Sequence, residues 1–325
     1  MELSEIFGLK NDTDFEETAL KVFRFQAREN PVYRTFLQYL SVQPEKIGSM
    51  CNIPFLPIQF FKTHRVVSGF KKEALIFTSS ATTGKQQSNH FVSDLNWYET
   101  SFKKGFEYFY GPVKDYTLLA LLPGYLERSG SSLIYMMNSL IAQSEKKKSG
   151  FYLHNFEELA ETLIELEEKK EKTLLIGVSF ALLDFLEKNS FELKNTVVME
   201  TGGMKGKRKE LVREELHRVL CSGFGVPEIH SEYGMTELLS QAYSKGKGIF
   251  YTPPWMKVLV RDTEDAMTML PESRNGGINV IDLANINSCS FIATQDLGKN
   301  YKDGSFEVLG RFDHSDIRGC NLLVL

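Results

Sequence analysis

Between residues 75 and 221, short apolar runs alternate with longer stretches of helical period, and this alternation limits the folds open to the chain. LIF (75–77), YTLLALLP (116–123), SGFYL (149–153), TLLIGV (173–178) and TVVMETGG (196–203) read as strands. Residues 94–110, 131–143, 155–170, 179–188 and 207–221 read as helices, their apolar positions recurring every three or four residues. Strands that are apolar on both faces need cover on both faces, and a crossover helix between them makes neighbouring strands parallel. The expected class is therefore α/β, a mostly parallel sheet flanked by helices. Ligands of such sheets lie in loops at the carboxyl ends of strands. The loops that matter follow LIF, TVVME and EIH (228–230).

The flanks differ from this body. Residues 14–40 place Phe15, Leu20, Val22 and Phe23, then Tyr33, Phe36, Leu37 and Leu40, at helical spacing. Asp12 or Thr13 can cap the first helix and Pro31 can open a second. IPFLPIQFFK (53–62), with two prolines, is expected to be extended. Past residue 245 the helices stop, and WMKVLVRD, GGINVIDL, CSFIATQD and SFEVLGR read as strands between turn residues. The expected organisation is an α/β body with an N-terminal helical region over 1–245, a β-rich subdomain over 246–311 and a tail over 312–325.

Composition narrows the function classes. With 325 residues, 42% of them hydrophobic, the chain can bury a large core. A formal charge of −4 gives no general field for nucleic acid, and the basic runs at 145–148 and 205–209 read as solvated faces. No apolar run approaches the roughly 20 residues of a membrane helix, so no integral membrane segment is expected. The start MELSEIFGLK lacks the features of a signal peptide. Cysteines at 51, 221, 289 and 320 form no Cys-x-x-Cys pair, which fits a reducing cytoplasm and not a zinc site or disulfide scaffold.

Four segments carry chemistry. FTSSATTGK (77–85) sets Thr78, Ser79, Ser80, Thr82 and Thr83 before Gly84 and Lys85. It is not a Walker loop, because Ser79 and Gln86 stand where that motif needs Gly and Ser or Thr. Hydroxyls, backbone amides and a lysine can still wrap phosphate oxygens; a plain polar turn is the other reading. In SEYGMTELLSQAY (231–243), Tyr233 offers a flat face, Gly234 permits close approach, Thr236 a hydroxyl, and Glu237 a carboxylate able to hold Mg²⁺. Alternatively Thr236 caps a helix that Glu237 opens. Gly202 and Gly203 end a strand and let a planar base lie against the backbone, or make a simple turn. Asp296 can accept from two adjacent sugar hydroxyls, with Arg311 adding donors; a turn aspartate and a surface arginine are the alternative. No Gly-x-Ser-x-Gly elbow supports a serine hydrolase.

In this order the hydroxyl–Gly–Lys loop, the glycine pair, YGMTE, an aspartate and Gly-Arg-x-Asp resemble the adenylate-forming superfamily of acyl-CoA synthetases, aryl-CoA ligases and peptide-synthetase adenylation domains. The resemblance spans roughly residues 75–320. LLPGYLERSGSSLIYMMNSLI (121–141), METGGMKGKRKEL (199–211), IHSEYGMTELLSQAYS (229–244) and PPWMKVLVRD (253–262) further look like the acyl-protein synthetases of the bacterial luciferase fatty-acid reductase system, the LuxE family. CoA ligases of the phenylacetate type are the nearer relatives outside it.

The resemblance implies activation of a carboxylic acid, a fatty acid in that family, by ATP and Mg²⁺ to an acyl-adenylate, then transfer to a thiol. It places Thr78, Ser79, Ser80, Thr82, Thr83, Gly84 and Lys85 on the β and γ phosphates and Gly202 and Gly203 beside the adenine. Tyr233 would pack on the other side of that base. Thr236 falls at the α-phosphate, Glu237 at Mg²⁺, Asp296 with Arg311 at the ribose, and Asp313 at the interdomain hinge. Larger members continue into a small C-terminal domain that carries a catalytic lysine. The chain printed here ends at Leu325, so that domain is expected to be absent. Lys85, Arg128 or a partner protein would then replace the lysine. The luciferase-system enzymes carry the acyl group on a cysteine near the C-terminus, which points to Cys320, with Arg318 nearby to favour its thiolate; a small packing residue is the alternative. Cys51, Cys221 and Cys289 read as packing residues, and His154 and His230 as acyl-pocket or structural histidines. The acceptor is a protein thiol, with CoA as the alternative. A third reading is a non-catalytic nucleotide- or acyl-binding component of a complex.

Overall fold

The structure is a computed structural model that describes residues 2–79, 86–123, 130–153, 155–202 and 211–312. Its helices are α1 (Leu3–Phe7), α2 (Asp12–Glu29), α3 (Pro31–Tyr39), α4 (Phe60–Thr63), α5 (Leu95–Tyr110), α6 (Ser132–Ser144), α7 (Phe156–Glu168), α8 (Ser179–Leu186) and α9 (Arg213–Phe224). Its strands are β1 (Leu56–Pro57), β2 (Leu75–Thr78), β3 (Asn89–Val92), β4 (Thr117–Leu121), β5 (Gly150–Phe151), β6 (Thr173–Val178), β7 (Thr196–Thr201), β8 (His230–Tyr233), β9 (Ala242–Ser244), β10 (Ile249–Tyr251), β11 (Met256–Arg261), β12 (Gly276–Asp282), β13 (Phe291–Asn300) and β14 (Phe306–Arg311).

The class is the expected one. Among the described residues twelve strands form one sheet, in the order β11-β12-β13-β14-β10-β9-β8-β7-β6-β4-β5, with β1 beside β13. From β5 to β8 the pairs are parallel. Every residue of β4 and β6 is buried, as strands covered on both faces must be. Helix α6 packs on β4, and α8 on β6 and β7. From β8 onward the chain turns antiparallel through β9, β10, β14, β13, β12 and β11.

Several boundaries and one pairing differ from expectation. LIF does not join the parallel sheet. Its strand β2 pairs antiparallel with β3 in a separate two-stranded sheet, Thr78 opposite Asn89. Asn11, not Asp12 or Thr13, caps α2 by accepting from the Asp14 amide. Pro31 opens α3 as expected, with Asn30 as the cap. The 53–62 segment is a strand only over Leu56–Pro57 and then turns into α4. Helix α9 begins at Arg213, after Leu211 and an extended Val212. Residues 230–233, read as the entry to a loop, are strand β8.

The N-terminal helices lie on the antiparallel half. Gln26, fully buried on α2, donates to Asn285 O at 3.1 Å and Ile286 O at 2.9 Å, and accepts from the Ser290 amide at 2.9 Å. Asn30 donates to Ser288 O at 2.9 Å. The Tyr33 ring stacks on Phe291 of β13, centroids 6.3 Å apart. No helix among the described residues is long and apolar enough to cross a membrane.

Candidate active site

The β2–β3 hairpin brings two ends of the hydroxyl-rich loop together. Ser79 N donates to Ser88 O at 3.1 Å, and Ser88 N donates to Ser79 Oγ at 2.9 Å. The Thr78 amide donates to Gly130 O at 2.8 Å. Gly130 has φ +90°, and a Cβ there would sit 2.9 Å from Thr78 Oγ1, so both conformation and space require glycine. Gln86 Nε2 donates to the Lys62 carbonyl at 2.7 Å. Ser80, Thr82, Thr83, Gly84 and Lys85 lie outside the described residues, as do Arg128, His154, Gly203, Asp313, Arg318 and Cys320.

The base of this loop meets the YGMTE segment. Glu237 is 6% exposed and takes a hydrogen bond from the Ser88 side chain. Burial raises its pKa, against the pull of that bond and of the Arg311 and Lys62 charges nearby. No helix follows: residues 234–241 form turns and irregular backbone, so Thr236 does not cap a helix. The turn is instead clamped from three sides. His90 on β3 bonds through Nδ1 to Thr236 O at 2.8 Å and through Nε2 to Asn285 Oδ1 at 3.0 Å. Asn285 in turn donates to Glu237 O at 2.8 Å. The fully buried Asp282 accepts from Leu239 N, Ser240 N and Ser240 Oγ at 2.8, 3.0 and 2.6 Å.

Three more of the expected residues converge beside it. Tyr233 Oη donates to Asp296 Oδ2 at 2.8 Å. Arg311, opposite Asp296 in the β13–β14 ladder, places Nε 3.1 Å from Asp296 Oδ1. Asp296 is buried, whereas 74% of the Arg311 side chain is exposed. The Tyr233 ring lies edge-on to Phe306 and Phe250, and burial pushes its phenol well above the ordinary range. Behind Asp296, the buried Arg261 donates to Ile278 O, Asn279 Oδ1 and Thr294 O at 2.8, 2.7 and 2.7 Å. Gly202, exposed at the end of β7, accepts at its carbonyl from Ser179 Oγ at 2.9 Å.

Gly234 makes room for its neighbour. A Cβ there would stand 2.3 Å from Glu232 Oε1. Glu232 accepts from Thr201 Oγ1 at 2.6 Å, and burial, with the nearby Glu200 carboxylate, lifts its pKa to about 7. On the same face of β8, His230 meets Tyr110 Oη through Nδ1 at 3.1 Å; burial and the Lys245 charge pull it down to about 4. Of the cysteines, Cys289 is buried with its thiol pushed up to about 12, and Cys221 is raised by burial. Cys51 is exposed and is not a packing residue.

His90, Asn285, Asp282, Arg261, Ser88 and Glu232 are the site residues that the motifs do not reveal. Only Glu232 and Ser88 carried a local signal, by adjoining YGMTE and the hydroxyl loop. The others lie in strands or turns far along the chain.

A buried carboxylate beside a phosphate-type loop fits Mg²⁺, which binds through one or two carboxylates plus substrate phosphates. No group of three or more His, Cys, Asp or Glu side chains among the described residues makes an all-protein metal cage. At one edge of this group Asp296 offers acceptors and Arg311 donors, groups able to meet the hydroxyls of a sugar.

No protein-family model matches the chain, and neither does any curated protein sequence. Solved structures do. ATP-bound MatB from Rhodopseudomonas palustris aligns over 73% of this chain and 47% of its own, with 19% identity and a TM-score of 0.55. This chain thus spans about half the length of that protein. An open conformation of 2-hydroxyisobutyryl-CoA ligase in complex with 2-HIB-AMP and CoA aligns over 93% of this chain and 70% of its own, at 12% identity and TM-score 0.65. The same ligase in its thioesterification state covers 96% and 70%, at 12% identity and TM-score 0.64. At these identities the likeness is one of fold: a large sheet flanked by helices, as in the adenylate-forming domain of these two proteins.

Proposed function

We propose that this chain is an ATP-dependent acid–thiol ligase. The observation that carries the reading is convergence: Tyr233, Glu237, Asp296 and Arg311, from segments up to 78 residues apart in sequence, meet beside the base of the loop that bears Lys85. A carboxylate oxygen of the acid attacks the α-phosphorus of ATP, the bond to the bridging oxygen breaks, and pyrophosphate leaves. The sulfur of a thiol then attacks the acyl carbon, AMP departs with the C–O electron pair, and the thiol proton passes to solvent.

In this reading Asp296 and Arg311 hold the ribose, and Tyr233 fixes Asp296 while bordering the base with Gly202 and Gly203. Thr236 contacts the α-phosphate. Lys85 and the hydroxyls of Thr78, Ser79, Ser80, Thr82 and Thr83, with Gly84, receive the outer phosphates. Gly234 lets Glu232 fold in behind the turn. Glu237 would hold Mg²⁺, which when bound neutralises charge on the phosphates. Two anions approach each other in the first step, so positioning and charge neutralisation are what the protein supplies.

For the acceptor, the resemblance to acyl-protein synthetases supports a protein thiol, fatty acid as substrate and Cys320 as carrier. The CoA-bound neighbour supports CoA. Incubation with ATP and radiolabelled fatty acid in the absence of CoA separates them. Hydroxylamine-labile label on denatured protein, lost in Cys320→Ala, is the outcome expected of the first; strict dependence on CoA is that of the second. Acid-dependent exchange between ATP and pyrophosphate is expected in either case. Its absence across fatty, aryl and hydroxy acids, with ATP still bound, would replace the ligase reading with a non-catalytic nucleotide-binding component.

A further inference from the structure

Helix α5 covers one face of strands β7, β8 and β9, and the layer between them is polar, unlike the Leu-rich strands β4 and β6. Thr201, Glu232 and Tyr243 stand in register across the three strands, so their side chains share that face. His230, two residues before Glu232 on β8, joins them and meets Tyr110 of α5. Tyr110 and Phe109 close on Tyr243, ring centroids 5.5 and 5.2 Å away. The charge of Glu232 is felt by the phenols of Tyr98, Tyr110 and Tyr243. Glu232 and His230 are only half-buried, so the layer is not sealed.

Two polar atoms of this layer have no hydrogen-bond partner among the described residues. Thr201 Oγ1 donates to Glu232 Oε2 at 2.6 Å, which leaves Oε1. Tyr110 Oη engages His230 Nδ1 at 3.1 Å, which leaves Nε2. A second polar group on α5 is different. Ser101 Oγ, Ser240 Oγ and Trp255 Nε1 bond to one another at 2.9, 3.1 and 3.0 Å, and Ser240 Oγ goes on to Asp282. That trio is closed, whereas Glu232 and His230 are open, and a polar group held from water costs free energy until something bonds to it. Gly234 keeps Glu232 in reach of the YGMTE turn. A Cβ at 234 would stand 2.3 Å from Glu232 Oε1, and its φ lies outside the left-handed region, so space requires glycine here.

We propose that the acid taken by this site carries a hydroxyl group close to its carboxylate, and that Glu232 Oε1, with His230 beside it, receives that hydroxyl. The proposal rests on the acid–thiol ligase reading, which sets Thr236 at the α-phosphate. Thr236 stands two residues after Gly234, so an acid poised to attack there has its first carbons next to Glu232. A plain alkyl or aryl acid would lay apolar surface on Oε1 and leave it unbonded. An ammonium substituent would need a fixed anion. Burial instead favours the uncharged forms of Glu232 and His230, and Lys245, over the Tyr110 ring at 5.6 Å, already brings a cation to this face. A neutral hydroxyl meets both conditions, and Glu232 is then a specificity-determining residue.

The test is exchange of pyrophosphate into ATP driven by matched acids: butyric against 2-, 3- and 4-hydroxybutyric acid, octanoic against 3-hydroxyoctanoic acid, and phenylacetic against mandelic acid. At least one hydroxy acid is expected to exceed its parent in kcat/KM by about tenfold or more, because a site built to bond a hydroxyl rejects the analogue that lacks it. Glu232→Leu, close in volume but without an acceptor, is expected to erase that preference by lowering exchange with the hydroxy acid and not with its parent. Glu232→Gln, which keeps an acceptor in place, is expected to retain most of it. A merely structural role would lower exchange alike for both members of a pair. Parents equal to or better than all their hydroxy partners, or a preference that survives Glu232→Leu, would overturn the proposal and leave the ligase reading standing. Should Glu232→Leu fail to fold, Thr201→Val, which removes the donor that holds Glu232, is expected to shrink the preference, and an unchanged preference there would overturn the proposal as well. Silence of every acid with ATP still bound would remove the ligase reading, and the proposal with it.

Discussion

Asp296 accepts from a buried phenol and from an exposed guanidinium, and the two contacts have different worth. A hydrogen bond to a buried charge contributes about 1.5–3 kcal/mol, while an exposed ion pair contributes about 0–1 kcal/mol. Tyr233→Phe is therefore expected to lower unfolding free energy by about 2 kcal/mol in denaturant titrations. Arg311→Gln should leave stability nearly unchanged yet weaken ATP binding by about tenfold, the loss of one charged contact. Equal effects of both variants on stability would refute this division of roles. Glu232 makes a pH prediction. Its folded pKa is raised to about 7 from 4.5, so the folded state holds a proton that the unfolded state releases. The stability it contributes is complete below pH 4.5 and is lost as pH rises through 7. Replacing it as Glu232→Gln should gain on the wild type between pH 5 and pH 8, read from denaturant midpoints; a constant gap would count against the titration. The sequence showed Tyr233, Asp296 and Arg311 as separate motif members. Their contact was not legible, because Tyr233 and Asp296 stand 63 residues apart and only the sheet closes that distance.

At the scale of elements, what was legible followed from period and burial. Strand β6 and helices α5, α6 and α8 lie where apolar patterning placed them, since each is long or apolar enough for its period to be unambiguous. Strand β3 was hidden because QQSNHF alternates polar groups that are satisfied by distant partners, His90 above all. Strands β9 and β10 are three residues each, too short to show a period. The hairpin matters because it fastens the base of the hydroxyl-rich loop to the YGMTE turn through the His90 imidazole and the Ser88 hydroxyl. Burial holds His90 down at about 4, so near pH 7 it is neutral and has one N–H to offer to two acceptors, the Thr236 carbonyl and Asn285 Oδ1. His90→Ala removes that donor and the Asn285 contact. Unmade buried hydrogen bonds cost about 1–3 kcal/mol. Amide exchange at residues 235–239 should therefore quicken by about tenfold or more, with slow exchange retained in β6 and β7. Exchange unchanged in the turn would show that Asp282, Asn285 and Ser88 hold it without the imidazole.

Across the whole molecule the division suggested at residue 245 has to be weighed against what crosses it. We propose that 1–245 and 246–311 are parts of one cooperative unit. Strands β9 and β10 are hydrogen-bonded neighbours on either side of the boundary, Phe250 opposite Ser244. Strand β1 pairs in parallel with β13, more than 230 residues later, Leu56 opposite Ile292. Gln26 takes its buried hydrogen bonds, and Asn30 one of its own, from the 285–290 segment, so withdrawing either part strands polar groups in an apolar interior. The candidate site repeats the pattern: Tyr233 and Glu237 lie before the boundary, Asp282, Asn285, Asp296 and Arg311 after it. Calorimetric unfolding is therefore expected to show a single transition, its calorimetric and van't Hoff enthalpies agreeing. Ala substitution of Gln26, although on the N-terminal side, should lower that one transition for the whole chain without splitting it. Two transitions, with Gln26→Ala moving only the earlier, would establish separate domains and would make the site an interface between them.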